Sequence, residues 1–243
     1  MIKGLNVSKA GMLPRQRQLE IDANNLANIN TIGYKKDEVF FRHLIDSLQA
    51  SDEKNAKVSS ASGEVITDFS SGSLRETGNP LDLAIVGDGF FVIDTPEGNV
   101  FTRNGNFSLD ADGRLTTQDG YSVLGSGGEI QITGNEVRIS EDGSILVDGQ
   151  ATDTLRVVRF ENPTLLTKIG GTYFMDENDA GMMDVESTDL KVRQGYLEGS
   201  NVTGIKEIVQ MIEIYRQFEM GQRAISTQDQ TLEKLINDGG RLP

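Results

Sequence analysis

Residues 201–237 read NVTGIKEIVQMIEIYRQFEMGQRAISTQDQTLEKLIN. Apolar side chains recur there every seven positions, at Met211, Phe218, Ile225 and Leu232, and a second set at Ile214, Gly221, Gln228 and Leu235 follows each by three. Heptad spacing marks a helix that packs lengthwise along another helix. At 1.5 Å per residue this helix is about 55 Å long, whereas a compact domain of a hundred residues has a radius of gyration of only ~13 Å. The helix therefore extends past any domain the chain builds, and it needs a partner. Asn201 or Thr203 is placed to cap it, with Glu207 favourable in the first turn.

The first thirty residues supply one partner. Leu5, Met12, Leu19 and Leu26 are again spaced by seven, with Ile2, Ala23 and Ile29 beside them. Pro14 interrupts the pattern; a proline inside a helix costs ~3 kcal/mol and kinks it, so two helical pieces meet near Leu13 or the helix bends there. Asn24, Asn25 and Asn28 then cluster before the turn at Thr31-Ile32-Gly33. Composition favours a fraying helix end at these asparagines over polar packing against neighbouring helices. One partner does not cover the tail helix. Ile205, Ile208, Ile212 and Tyr215 widen its apolar face to an arc of roughly 160°, which calls for contacts with other copies of the chain. Helices matched head-to-tail in this way build open helical assemblies when the rotation does not close. Lone helices are marginal in water, so the isolated chain is expected to be a monomer with largely unfolded ends.

Between the two heptad stretches the character changes twice. Residues 34–80 read as an extended linker or arm. The mixed patch Tyr34–Leu48, which includes His43, opens it, and the polar stretch Gln49–Ser73 follows. From Leu81 the apolar runs are short, such as Phe90-Phe91-Val92-Ile93, and Asp-Gly pairs separate them at 112, 119, 142 and 148. Asp-Gly suits turns that need positive φ, so antiparallel hairpins are expected. The fold class is α+β, with a mostly antiparallel β domain inserted between N- and C-terminal coiled-coil helices. The expected division is an assembly helix at 1–33, the arm at 34–80, the β domain at 81–184, a return connector at 185–200 and the C-terminal helix at 201–243, packed with 1–33.

Composition excludes several function classes. The chain has 243 residues and a formal net charge of −14, which argues against nucleic acid as a partner. It has no cysteine and one histidine, His43, which removes thiol chemistry and most metal and triad chemistry. No apolar run of seven or more appears in MIKGLNVSKAGMLPR, and no stretch approaches eighteen consecutive apolar residues. Neither a cleaved signal peptide nor a membrane span is expected. Ser108, Asp110, Asp112, Gly113 and Asp119 approach calcium-loop spacing. Serine stands at the first position, however, aspartate at the twelfth, and the flanks are strand-like, so the stretch reads as a pair of β-turns. Gly87-Asp88-Gly89 lacks the third glycine and the following helix of a phosphate loop. No paired carboxylates stand in an acid/base arrangement. No enzyme and no cofactor is called for.

Several long motifs resemble one known family. Asn24-Asn25-Leu26-Ala27-Asn28-Ile29-Asn30-Thr31-Ile32-Gly33-Tyr34-Lys35 resembles the N-terminal motif of bacterial flagellar basal-body rod and hook proteins. Thr77-Gly78-Asn79-Pro80-Leu81-Asp82-Leu83-Ala84-Ile85, followed by Gly87-Asp88-Gly89-Phe90-Phe91, is similar to the start of their central β domain. Thr102-Arg103-Asn104-Gly105 and Leu109-Asp110-Ala111-Asp112-Gly113-Arg114-Leu115 continue the likeness. Gly195-Tyr196-Leu197-Glu198-Gly199-Ser200-Asn201-Val202 resembles the entry to their C-terminal helix. The likeness spans nearly the whole chain in the family's order. It is closest to the proximal and distal rod proteins. The stretch Gln49–Ser73 is short for a distal one, and Pro14 departs from the family's first helix.

The resemblance implies a structural subunit of the rod, in the basal body within the cell envelope. The terminal helices would pair as a coiled coil and pack on those of neighbouring copies into a hollow, torque-transmitting shaft. Export would proceed through the flagellar type III apparatus without a cleaved signal. Partners would be other copies, other rod and hook subunits, and the surrounding bushing rings, which the β domain would face. The residues assigned to assembly are Leu5, Met12, Leu19, Asn24, Asn25, Leu26 and Asn28 in the first helix. In the last helix they are Ile205, Ile208, Met211, Ile212, Tyr215, Phe218, Ile225, Leu232 and Leu235. The alternative is a secreted calcium-binding β-rich adhesin with coiled-coil ends, which would draw on Asp110 and Asp112.

Overall fold

The computed structural model describes residues 2–40, 64–134, 136–186 and 189–239. It is α+β, with two long helices and mostly antiparallel sheets. The chain divides into two compact units, one of Met1–Ala27, Asp37–Ile66 and Thr203–Pro243, the other of Asn28–Lys36 and Thr67–Val202. His43 and the central part of the expected arm, 41–63, lie outside the described residues.

The first unit holds helix α1 (Ile2–Ala27), helix α2 (Gly204–Gly239) and the strand Asp37–Phe40, which pairs with the strand Glu64–Thr67. Helix α1 runs through Pro14 as one assigned helix, not as two pieces. Helix α2 lies antiparallel to it. Arg15 Nε donates to Gln217 Oε1 at 3.0 Å, Asn25 Nδ2 reaches Glu207 Oε2 at 3.5 Å, and Gly221 faces Met12. Each step forward on one helix matches an equal step back on the other, which is what two helices of the same rise side by side require. The first backbone bond of α2 runs from Glu207 N–H to Thr203 C=O, 3.1 Å. Asn201 is not the cap. Its amide accepts from Lys36 N–H at 2.8 Å and donates to Asp68 C=O at 2.8 Å.

The second unit is built on an antiparallel sheet whose path runs Thr167–Gly170, Tyr173–Met175, Gly98–Thr102, Phe90–Thr95, Ser122–Gly125, Leu115–Thr117, Phe107–Leu109. The strand Val157–Phe160 also pairs with Phe90–Thr95. The unbroken apolar run Phe90-Phe91-Val92-Ile93 follows from burial on both faces. Phe90 and Val92 enter one core with Phe101, Phe160 and Phe174, whereas Phe91 and Ile93 enter a second with Phe107, Leu115 and Val123. Side chains alternate across a strand, so a strand covered on both sides has no polar positions to show. The Asp-Gly pairs fall in the turns expected of them. At Asp148-Gly149 both residues have positive φ, 51° and 82°, the geometry of the tight hairpin between Ser144–Val147 and Gln150–Thr154.

This unit also recruits what the sequence presents as connector, into two further two-stranded sheets. Val192–Gln194 pairs with Leu83–Ile85, and Tyr196–Glu198 pairs with Leu74–Glu76. Gly195, at φ +78°, separates the two short strands and hides their alternation from a pattern search.

Candidate functional site

Of the positions of low exposure on α2, six fall at 207, 211, 214, 218, 221 and 225, a four-three-four-three-four series; Gly204 and Gln210 are half-buried beside it. This is the heptad seam, and it faces α1. Ile214 is buried, and Met211, Phe218 and Ile225 are half-buried, as are Met12, Leu19 and Leu26 on α1. Leu5, Leu232 and Leu235 lie on the two helices, but their side chains are outside the described set. The widening row stays uncovered: Ile205 is 79% exposed, Ile208 46%, Ile212 49% and Tyr215 62%. Val209 and Met220, which heptad counting does not select, are exposed beside it. A groove of about 730 Å³ lies on the other flank of the seam, with Ile205, Val209 and Ile214 among its lining residues and none of Ile208, Ile212 and Tyr215.

The asparagines sort into different roles. Asn24 is exposed. Asn28 holds the turn that ends α1, accepting from Thr31 N–H and from Thr31 Oγ1, both at 3.1 Å. Asn25 is buried and does not fray. Its Nδ2 donates to Asp37 C=O at 2.8 Å while its Oδ1 accepts from Asp37 N–H at 3.0 Å. Here polar packing prevails over the composition-based expectation, because a carboxamide satisfies both backbone groups of the strand Asp37–Phe40 at its start.

Sequence reasoning missed two buried carboxylates in the same unit. Glu207 occupies a seam position, which its spacing of seven from Ile214 shows in retrospect. Asp22 is 4% exposed, and its carboxyl is pushed up to about 6 by burial first, then by Glu207 and Glu38.

In the second unit the residues of the Thr31–Lys35 and Gly195–Val202 motifs meet around one carboxylate. Glu198 Oε1 accepts from Lys35 Nζ at 2.8 Å and from Gly72 N–H at 2.8 Å, and Oε2 accepts from Arg103 at 3.4 Å. Lys35 is 0% exposed and Glu198 1%. Lys35 Nζ also donates to Ser70 C=O at 2.7 Å. Burial lowers the Lys35 and Arg103 pKa values, and Glu198 opposes that shift in both. Gly33 N–H donates to Glu198 C=O at 2.8 Å. Gly33 has φ +68°, and a Cβ there would stand 2.4 Å from the backbone nitrogen of Asn104. Lys168 lies over the Tyr34 ring at 4.1 Å and donates to Lys35 C=O. Five chain segments of the second unit, 33–35, 70–72, 103–104, 168 and 198, are thus tied together.

The turn residues of the calcium-like stretch are engaged otherwise. Asp110 Oδ1 accepts from Asp112 N–H and Arg114 N–H, and Oδ2 accepts from Arg114 Nε at 2.8 Å. Asp119 Oδ2 accepts from Tyr173 at 2.6 Å in a different turn. The adhesin reading has no support here, and among the described residues no group of acidic or histidine side chains is disposed to hold a metal ion.

The chain matches three family descriptions in chain order. These are "Flagella basal body rod protein" over residues 5–35, "Flagellar hook protein FlgE/F/G D1 domain" over 84–147 and "Flagellar basal body rod FlgEFG protein C-terminal" over 193–238. The outer two segments carry α1 with Lys35 and Glu198 with most of α2. Among similar proteins, the flagellar basal-body rod protein FlgG of Bacillus subtilis is 33% identical, over 98% of this chain and 99% of that one. The flagellar basal-body rod protein FlgF of Rhizobium meliloti is 34% identical, over 99% of both chains. The FlgG protein of Caulobacter vibrioides is 31% identical, over 96% of this chain and 97% of that one.

Proposed function

The chain belongs to the flagellar basal-body rod protein family, and from that membership we infer how it works as a structural subunit of the rod. It polymerises through its terminal helices, which pair as a coiled coil and pack on those of neighbouring copies to form a hollow shaft that transmits torque. The β unit is the part carried by this helix pair. Other rod and hook subunits continue the shaft above and below, and the surrounding bushing rings face the β unit. The subunit reaches its place through the flagellar type III export apparatus without a cleaved signal. Among the described residues, no helix is long and apolar enough to cross a membrane.

The observation that carries this reading is the uncovered row Ile205, Ile208, Ile212 and Tyr215 on a helix whose heptad seam already faces α1. Burying such side chains contributes about 1.5–3 kcal/mol each, so four of them on each copy are an ample drive for association. The test is the double variant Ile212→Asp/Tyr215→Asp, introduced at the native locus. Both positions are exposed, so the subunit folds as before; it is expected to be made and exported but not incorporated into basal bodies, and the cells do not swim. Normal swimming by that strain would sink the reading.

A further inference from the structure

Asp22 is the least ordinary side chain of the first unit. It is buried on α1, and its Oδ2 finds no hydrogen-bond partner. It lines a polar cavity of about 190 Å³ whose other charged walls are Asp37 and Glu38 on the strand Asp37–Phe40, and Lys206 and Glu207 on α2. Glu207 is itself buried, whereas Lys206 is exposed. An ionised carboxylate left without a partner beside other carboxylates is costly, and neutralisation is the usual escape.

We propose that Asp22 is a proton-operated clasp for the α1–α2 pair. With a proton on Oδ2 the buried carboxyl becomes a donor among the acceptor oxygens of Glu207 and Glu38, and the pair closes. With the proton lost, the Asp22 carboxylate joins those of Asp37, Glu38 and Glu207 around the cavity, and the pair loosens. The direction follows from linkage. The closed pair holds the Asp22 proton up to a pKa of about 6, against an ordinary value of 3.8. Closure therefore strengthens as pH falls through 6 and gains nothing further below about 4. A separation of roughly two pH units corresponds to about a hundredfold change in the equilibrium between closed and open. The device gives the chain loose ends at neutral pH and a closed helix pair where protons are more abundant or a neighbouring copy excludes water.

Amide hydrogen exchange of the full-length chain between pH 5 and pH 7.5, corrected for intrinsic rates, tests the clasp. Protection in α1 and α2 is expected to rise about tenfold from pH 7.5 to pH 5, setting in as the pH falls through about 6. The strand Phe90–Thr95 in the other unit serves as an unchanged reference. Asp22→Asn carries no charge and keeps a donor, so its helices stay protected throughout. Glu207→Gln removes the neighbouring carboxylate with the larger effect on Asp22 and shifts the onset to lower pH. Retention of the wild-type slope in Asp22→Asn overturns the proposal, and so does a flat profile in the wild type. A use of the clasp in assembly rests on the rod-subunit reading, which is scored separately. If exchange follows Asp22 but the chain enters no basal body, that reading fails and the clasp stands.

Discussion

Replacing Glu198 by Gln removes the one carboxylate shared by Lys35 and Arg103 while keeping the shape of the side chain. Lys35 is 0% exposed, so its ammonium cannot turn to water. The new amide can still accept from Lys35 or Gly72 through its oxygen, but its NH2 group then points a donor at Arg103, whose guanidinium is also buried. Breaking one side of a buried ion pair costs about 3–5 kcal/mol. The lower end applies here, because Lys35 keeps Ser70 C=O and Arg103 keeps Gly87 C=O. About 3 kcal/mol lowers the Tm of a unit of this size by roughly 10 °C. Differential scanning calorimetry of the full-length chain at pH 7 reads that shift. Glu198→Gln in a Lys35→Met background should cost less than half as much, because the stranded cation is already gone. A Tm change of under about 2 °C for Glu198→Gln, or an equal cost in both backgrounds, refutes the reasoning that the carboxylate ties the segments together.

Further outcomes are expected from single changes. Gly33→Ala destabilises the second unit by about 1–3 kcal/mol, since φ is positive and the Asn104 backbone blocks the methyl group, and calorimetry measures it directly. Asn25→Ala leaves both backbone groups of Asp37 without their side-chain partner, at about 1–3 kcal/mol. The loss should appear as faster exchange in α1 and in the strand Asp37–Phe40, with the second unit unaffected. Tyr173, pushed up to about 12 by burial and by its bond to Asp119, should ionise well above the ordinary value of 10. The ultraviolet difference titration between the wild type and Tyr173→Phe isolates that step, and a midpoint near 10 contradicts it.

Periodicity made the helices and the seam legible, because a heptad leaves its mark on every seventh residue whatever the partner is. Asp-Gly pairs did the same for the hairpins. The strands at 192–194 and 196–198 were not legible, being only three residues each and split by Gly195. Two burials were invisible for a deeper reason. Lys35 lies in a run of charges, Lys35-Lys36-Asp37-Glu38, that composition assigns to a solvated arm. Only its distant partner Glu198, 163 residues along the chain, makes its burial tolerable. Asp22 has no signature at all, since an aspartate three residues before a buried asparagine looks like any residue on a polar face. In both cases the determining interactions are non-local and electrostatic, and no local pattern encodes them. The apolar row at 205–215 was visible as a face too wide for one partner, and it is the row that α1 leaves exposed.

That open row constrains the direction from which a neighbour approaches. At 100° per residue, the seam positions 207, 211, 214, 218, 221 and 225 cluster within about 40° of one line along α2, whereas Ile205, Ile208, Ile212 and Tyr215 centre about 120° around from it. A helix docking on the row therefore neither replaces α1 nor lies opposite to it. It sits to one side, as the third member of a bundle would. The row also ends at Tyr215, while the seam continues to Ile225, so the third helix covers only the first three turns or so of α2. Charge reversal at Glu219 or Arg223, beyond that overlap, is then expected to be neutral for incorporation, and a charge at Ile208 or Ile212 disruptive. In-frame substitutions at these four positions, scored by recovery of the subunit in purified basal bodies, map the overlap. Equal sensitivity at all four would mean that the contact runs the full length of the helix and that the open row does not define it.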